Sequence, residues 1–527
     1  TQEISTVKSY NFTNVRKDRS PQNQGKPMPW DISNFSVSYG YTATERSDPF
    51  IESDQLEKYN GGVNYQFSTQ TKYIQPFKKL KGNALKLISE INFNPLPSTF
   101  TFSTLMDRQF QTTKYRFTDL DPKYSTFFNK RFLWGRDYNL QWDFTKGLKF
   151  NFNAANDAVV DEPDESLLRE KGFSLAEQNR YRRDSIWSNI QNLGRTKNYQ
   201  HEFTLNYTLP TKLIPYMEWV AIKGQYRGNY GWTAAALNTD SLGNVIQNGQ
   251  NIQANADFNF DQLYNKIPFL RKIDQGPRSG GAEGNPRTRR TDEANADQDK
   301  EKKGGGDLPN GVKLLLRPLL SLRKARFNYS EQHNTVVPGY TPASRLLGMN
   351  QFNSPGWDFV AGIQPRISKL REDEFGTGKD WLAQAANQGW MSSSVFQNRE
   401  VSQLSTQNWD ARVTIEPFRD MRLDLDISRN YTQNHSQYFK DTLLDNNARF
   451  VHAIPQDIGT LTMSYSALKT LFRGDTADLR TLFKTFEDNR VIISQRLGNG
   501  EHVDTTLSKQ GYTFGYGRTQ QEVLIPA

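Results

Sequence analysis

The sequence contains no cysteine, which excludes disulfides, thiolate zinc sites and cysteine nucleophiles. It has no apolar run near the roughly 20 residues that a spanning helix needs. Its most apolar stretch, Leu314 to Leu322, is short and broken by Arg317 and Pro318. Only 35% of the 527 residues are hydrophobic, and the mean hydropathy is −0.77. Any crossing of a membrane must therefore be made by strands. The start, Thr1-Gln2-Glu3-Ile4, is not a signal peptide. Both ends read as cut from something longer, so the missing leader carries no information about export.

Aromatic residues make up 13% of the chain, which argues against disorder. A chain that is rich in aromatics yet polar on average must confine its apolar residues to one face. Period-two alternation does this throughout. Phe35, Val37, Tyr39 and Tyr41 alternate with polar or small residues, as do Tyr138, Leu140, Trp142 and Phe144. The pattern recurs at Leu148–Ala154, Phe203–Leu209, Ala256–Phe260, Trp409–Ile415, Met421–Ile427 and Leu461–Tyr465. About 13 or 14 such strands are expected, each near the 9–11 residues that cross a bilayer at a tilt. The fold class expected is all-β: a transmembrane antiparallel outer-membrane β-barrel, here forming part of a larger barrel. Closure follows from physics, because an unpaired strand edge in lipid costs several kcal/mol per backbone group.

The connections are unequal. Thr145-Lys146-Gly147, Pro417-Phe418-Arg419-Asp420 and Pro210–Pro215 read as short turns, whereas 159–197, 331–404 and 432–458 read as long extracellular loops. Counting strands alternately down and up places the short turns on one rim and the three long loops on the other, as in outer-membrane barrels. Helical pieces are expected at Glu165–Leu175, Leu175–Arg183 and Trp381–Met391. The chain thus divides into barrel strands over 1–273, a charged insert over 274–311, and barrel strands over 312–468. A helical or irregular segment with a final strand follows over 469–527. The 274–311 insert has no aromatic residue and is expected to be a mobile, low-complexity periplasmic segment. Residues 70–97 read as a longer excursion on the same side.

No catalytic, cofactor-binding or metal-binding residue is expected, and the protein reads as a non-enzyme. The five histidines (His201, His333, His435, His452, His502) lack metal-ligand spacing. Gly-x-Ser-x-Gly is absent. The carboxylates Asp161, Glu162, Asp164 and Glu165 have the chemistry of a calcium site, but Pro163 favours a solvated loop or a helix start. Asp119-Leu120-Asp121-Pro122 reads as a turn. Arg496-Leu497-Gly498-Asn499-Gly500 is also a turn, because it lacks the Lys and Ser/Thr of a phosphate loop. Asn-x-Ser/Thr triplets at Asn11, Asn34, Asn206, Asn328 and Asn430 arise from the composition of alternating strands. The net charge of +9 is spread among 57 acidic residues, so no nucleic-acid partner is expected. Trp134, Trp142, Trp219 and Trp232 are candidates for an interfacial girdle, with packing against protein an equal alternative.

Several blocks resemble the giant outer-membrane translocon of the bacterial type IX secretion system, the SprA/Sov family of the Bacteroidota. They include Asn153–Pro163, Tyr264–Leu270, Asn328–Glu331 with Val337–Tyr340, Ser354–Phe359, Thr414–Arg422, Glu487–Ser494 and Gln521–Ala527. No single block is specific; their order along most of the chain carries the likeness. The resemblance implies a very large single-chain barrel that passes folded cargo proteins to the cell surface and supports gliding motility in gliding bacteria. It implies as partners the outer-membrane lipid bilayer, secreted cargo, a PorV-like shuttle protein, a plug protein, periplasmic secretion components and the remainder of the same barrel chain. It also implies a location in the Gram-negative cell outer membrane. Two other classes remain open on the residues alone: a self-contained porin or TonB-type small-molecule transporter, and a soluble β-rich adhesin.

Overall fold

The computed structural model describes residues 3–18, 28–79, 86–116, 126–164, 167–168, 171–214, 216–275, 320–367, 380–418, 421–442, 450–464, 479–498, 511–513, 515–518, 520 and 523. Thirteen strands form one sheet in chain order. They are β1 (Ile4–Arg16), β2 (Phe35–Ser47), β3 (Ile51–Ser68), β4 (Thr99–Tyr115), β5 (Thr126–Asp143), β6 (Leu148–Val159) and β7 (Arg195–Thr208), followed by β8 (Val220–Thr233), β9 (Asn244–Asn259), β10 (Leu322–Tyr340), β11 (Val401–Phe418), β12 (Met421–Asp441) and β13 (Phe450–Ser464). Every pairing is antiparallel and joins sequence neighbours, so the sheet is a pure meander. Among the described pairings, β1 and β13 each have one partner.

Alternation places aromatic rings opposite one another across the ladders. Phe35 meets Tyr65 at 4.9 Å and Phe102 meets Tyr138 at 5.0 Å directly across the ladder, and Phe203 meets Tyr226 diagonally at 5.7 Å between ring centroids. Each such pair adds roughly 0.2–1 kcal/mol to the pairing. The β5–β6 turn is closed by Thr145, whose Oγ1 accepts from the backbone N–H groups of Gly147 and Leu148. Glycine is required there, since a Cβ at position 147 would lie 2.7 Å from the Thr208 carbonyl oxygen. The β2–β3 turn is closed by Asp48, which accepts from Ile51 and Phe50 N–H; those donors hold its carboxyl below the usual range.

The strands run from 12 residues in β6 to 21 in β12, longer than their apolar alternation suggests. Two expected loops are corrected as a result. Residues 331–404 are not all loop, because β10 continues to Tyr340 and β11 begins at Val401. Residues 432–458 are mostly strand, because β12 continues to Asp441 and β13 begins at Phe450. The extra strand length alternates among polar residues such as Glu331, His333 and Thr335, or Gln433, His435 and Gln437, so a hydrophobic pattern does not reveal it. The 159–197 connection is bracketed by Val159 and Arg195.

One rim carries the connections 160–194 and 341–400, together with the Asp48–Phe50 turn and the β12–β13 join. At the opposite rim lie the β5–β6 turn at 144–147, the β7–β8 and β11–β12 joins, and the described parts of the longer β3–β4 and β9–β10 connections, 69–79, 86–98, 260–275 and 320–321. On that rim lie the short helices α1 (Lys86–Ser89), α3 (Phe260–Lys266) and α4 (Pro268–Gln275). The 160–194 connection contains α2 (Leu175–Gln191), started by a capping box in which Ser174 and Glu177 bond reciprocally. It continues past the expected end at Arg183. Within Glu165–Leu175, the described residues Leu167 and Leu168 are helical, before α2 begins. The 341–400 connection contains α5 (Trp357–Val360) and α6 (Trp381–Asn387), the latter capped by Asp380 and ending before the expected Met391.

Apart from Asp274 and Gln275, which end α4, the expected insert 274–311 lies outside the described residues. Over 469–527, the described residues form α7 (Leu479–Leu497), with a short stretch at Tyr512–Thr513 and Tyr516 held against it through the Ser494 hydroxyl. Among the described residues of 469–527 no further strand of the sheet follows β13.

Candidate functional surface: a two-faced wall

Register assigns every strand residue to one of two faces. One face carries the apolar runs, among them Phe150 and Phe152 on β6, Phe203 and Leu205 on β7, Phe327 on β10, Ala411 and Val413 on β11, and Leu423 and Leu425 on β12. The other is predominantly polar, as in Asn151, Asn153, Glu202, Thr204, Asp257, Arg326, Asp410, Arg412, Asp424 and Asp426, with isolated apolar residues such as Leu105 and Leu404.

The apolar runs do not lie along the hydrogen-bonded rows. The row that crosses Phe102 on β4 and Tyr138 on β5 continues through Ala154, His201, Tyr230, Asn248, Thr335 and Gln403 to His435 on β12. It leaves the apolar zone on the way, because the apolar run of β12 is centred ten positions earlier, near Leu425. Ten residues of strand are about 34 Å, and eight interstrand spacings are about 38 Å. The apolar band therefore crosses the strands obliquely, at a tilt of about 40°, within the range of outer-membrane barrels.

Along each strand the apolar face changes character. On β12, Met421, Leu423 and Ile427 are 50%, 42% and 36% exposed, whereas Tyr431, Gln433 and Gln437 are 1%, 2% and 2% exposed. Greasy residues face outward and amides are enclosed, the reverse of a water-soluble core. The enclosure comes from the two long connections, both of which fold back over the apolar face at the strand ends nearest their own rim.

The 341–400 connection is bound to the sheet mainly by side-chain donors reaching its backbone. Asn248 Nδ2 donates to the Phe359 and Ile363 carbonyls at 3.2 and 3.0 Å. Tyr230 and Trp232 donate to the carbonyls of Gly348 and Pro342, and Gln437 donates to that of Ile367 at 2.6 Å. A buried relay runs from Gln403 through the Thr335 hydroxyl to Gln364, and His452 meets Asp380 at 2.8 Å. Buried polar groups matched in this way hold a connection in one place, because any slippage would strand several of them. Apolar packing of Tyr199, Tyr230, Phe359, Leu382 and Met391 completes the contact.

The 160–194 connection is held differently. Ile186 and Ile190 of α2 pack on Phe132, Trp134, Ala158 and Val160. Arg108 forms a two-pronged pair with Glu162 at 2.6 and 2.8 Å, and Arg195 forms one with Asp161 at 2.8 Å. The Arg195 hydrogen bond holds the Asp161 carboxyl below its usual range against the opposing effect of burial.

The polar face is laced with cross-strand pairs of both signs: Arg326–Asp257 at 2.7 Å, Arg412–Asp426 at 2.5 Å, Arg131–Asp107 at 2.8 Å and Arg227–Glu202. Asn328–Asp410 and Asn139–Asn153 continue the lacing. Each exposed pair contributes roughly 0–1 kcal/mol, so their effect is to keep the surface wet and locally neutral. A cavity of about 530 Å³ opens on this face, with Ser103, Asp137, Asn139, Asn153, Gln200 and Glu202 in its lining.

The sequence features singled out as chemistry are absorbed by this architecture. His201 bonds the Tyr199 hydroxyl and the Val360 carbonyl, His333 meets Glu331, and His435 meets Asp457. His502 lies outside the described residues, as do Glu165 and Asp119–Pro122. Asp161 and Glu162 are taken up by arginines, and among the described residues no three His or acidic side chains gather as a metal site. Of the four girdle candidates, Trp134 and Trp232 are buried beneath the connections, whereas Trp142 and Trp219 lie at the opposite ends of their strands and donate to the Asn94 and Tyr216 carbonyls. No helix among the described residues is long and apolar enough to cross a membrane. Comparison with known protein families and with curated proteins finds no match.

Proposed function

We propose that this chain is part of the wall of a large outer-membrane β-barrel, and that the barrel is a protein-conducting pore of the type IX secretion kind. The observation that carries the reading is the inversion along β12 and its neighbours: an exposed apolar band, oblique at about 40°, backed by a continuous polar face. Lipid covers such a band at no cost, while water would meet an uninterrupted hydrophobic surface. On this reading the polar face lines the lumen. Its paired, sign-balanced charges suit cargo of any surface charge, and transport through it is physical, with no bond made or broken. The rim bearing 160–194 and 341–400 is extracellular, and the strand ends above the band project beyond the bilayer.

One feature favours a segment of a larger wall over a self-contained porin or TonB-type transporter. The described pairings leave β1 and β13 with one partner each, and a spanning edge must be paired. The remaining partners of the reading are those implied by the family likeness: cargo, a PorV-like shuttle protein, a plug protein and periplasmic components. Depletion of the chain tests the function. Cargo that normally reaches the medium should accumulate folded in the periplasm; unchanged secretion would refute the translocon reading. Cysteine pairs spanning β1 and β13 test closure. Efficient disulfide formation between them would favour the self-contained barrel.

A further inference from the structure

Among the described residues of the 341–400 connection, the turn at 357–363 reaches furthest down β8. There Ala361 accepts a 2.8 Å hydrogen bond from the Tyr226 hydroxyl, and Tyr226 is the last member of the apolar run Val220, Ile222, Gly224, Tyr226 on β8. The backbone presses directly on the sheet: a Cβ at Gly228 would lie 2.5 Å from the Ala361 carbonyl oxygen, and one at Gly362 would lie 2.4 Å from that of Gly249. Phe359 and Val360 enter the packed core under the turn. The turn begins with Trp357, whose ring stacks on that of Phe352 at 5.9 Å and 8°, with 55% and 47% of their surfaces uncovered. Two exposed aromatic side chains are thus clamped by a rigid support where the apolar band begins.

We propose that the Trp357–Phe352 pair is an interfacial anchor, seating the 341–400 connection on the headgroup layer of the outer leaflet. The inference rests on the membrane-wall reading. Tryptophan belongs at this depth because its ring is apolar and its indole N–H remains hydrated. Continuity with the band selects lipid as the occupant. The anchor would tie the height of the connection to the bilayer surface, so that cover and wall move as one body.

These 527 residues contain no cysteine, so a single cysteine placed among them is the one thiol of this stretch, and any thiol elsewhere in the barrel is replaced by serine beforehand. Nitroxides are placed at Trp357→Cys, at Phe352→Cys as a second variant, at Leu423→Cys in the band and at Phe396→Cys, the last being far exposed near the rim. Each is read in outer-membrane vesicles by collision with dissolved oxygen against a water-soluble nickel chelate. The anchor predicts an oxygen-to-chelate ratio at 357 and 352 several-fold above that at 396 and approaching that at 423. Ratios at 357 and 352 equal to that at 396, with 423 still lipid-like, would overturn the anchor and leave the membrane wall intact; the pair would then be a surface for a protein partner. A water-like ratio at 423 would overturn the membrane reading and the anchor with it.

Discussion

The two halves of β12 are chemically opposite and environmentally reversed. In Met421–Ile427 the alternating apolar residues Met421, Leu423 and Ile427 stand exposed and Leu425 half-exposed, while Arg429–Asp441 alternates Arg, Tyr, Gln, His, Gln, Phe and Asp that are all buried. Both halves belong to the same face of the same sheet. The upper half is enclosed by protein that supplies hydrogen-bond partners: Gln407 of β11 for Arg429, Asp457 and His452 of β13 for His435 and Gln437, and Ile367 of the 341–400 connection for Gln437. The lower half has no protein cover among the described residues and carries side chains that need none in lipid. Burial in the structure therefore maps where protein ends, and hydrophobicity maps where lipid is proposed to begin.

The sharpest way to break that comparison is to place one charge on each face at the same depth. Ile427→Arg should destabilise the lipid-embedded protein by about 2–4 kcal/mol, the cost of a cation near the bilayer centre. Ser428→Arg, one residue on and facing the other way, should fall within about 0.5 kcal/mol of the parent. Urea titration of vesicle-reconstituted protein reads both. Equal effects would mean that the faces are not distinguished by solvent.

The covers can be released separately. Glu162→Ala leaves the Arg108 guanidinium enclosed without its two-pronged partner, a loss of about 1.5–3 kcal/mol local to 160–194. Amide exchange should accelerate there and not in 341–400. Gly228→Ala drives a methyl against the Ala361 carbonyl and the Phe203 ring, costing about 1–3 kcal/mol. Protease should then cut within 341–400 at lower concentration while the β7–β8 and β8–β9 pairings keep their exchange protection. If either substitution loosened both covers together, the two would be one unit.

The smallest effect is set by pH. The Asp161 carboxyl is held below its usual value by Arg195, so the folded state binds its proton less readily than the unfolded chain. Its contribution is complete above the ordinary carboxylate range and is lost as pH falls through the lowered value. Protection at 160–164 should be flat from neutral pH down to mild acid and decline only below the ordinary carboxylate range. Arg195→Gln should move that decline to higher pH.

Much of the wall was legible from the sequence. Alternation marked strands at Phe35–Tyr41, Leu148–Ala154 and Met421–Ile427, and Thr145-Lys146-Gly147 marked a turn, because a face that is uniformly apolar writes itself at period two. The upper strand halves were not legible. Thr335, Gln403 and Gln437 face the same side as the leucines below them, but their partners are the backbone and side chains of a connection up to 70 positions away in sequence, and polar-to-polar matching leaves no amphipathic trace. The girdle tryptophans divided for the same reason. Trp134 and Trp232 lie on strand stretches that 160–194 and 341–400 cover, whereas Trp142 and Trp219 lie toward the other rim, half-buried and bonded to the Asn94 and Tyr216 carbonyls of the connections there. The covered surface itself had one usable signal, the density of aromatics in 340–396, which exceeds what an unpacked loop retains.

The central claim is that side chains alternate between lipid and water along the lower strands. A cysteine scan over residues 421–428, probed in outer-membrane vesicles with a small water-soluble maleimide, tests it most directly. The account predicts protection at 421, 423, 425 and 427 and reaction at 422, 424, 426 and 428. Uniform reaction along the segment, or protection of the even positions instead, would contradict it.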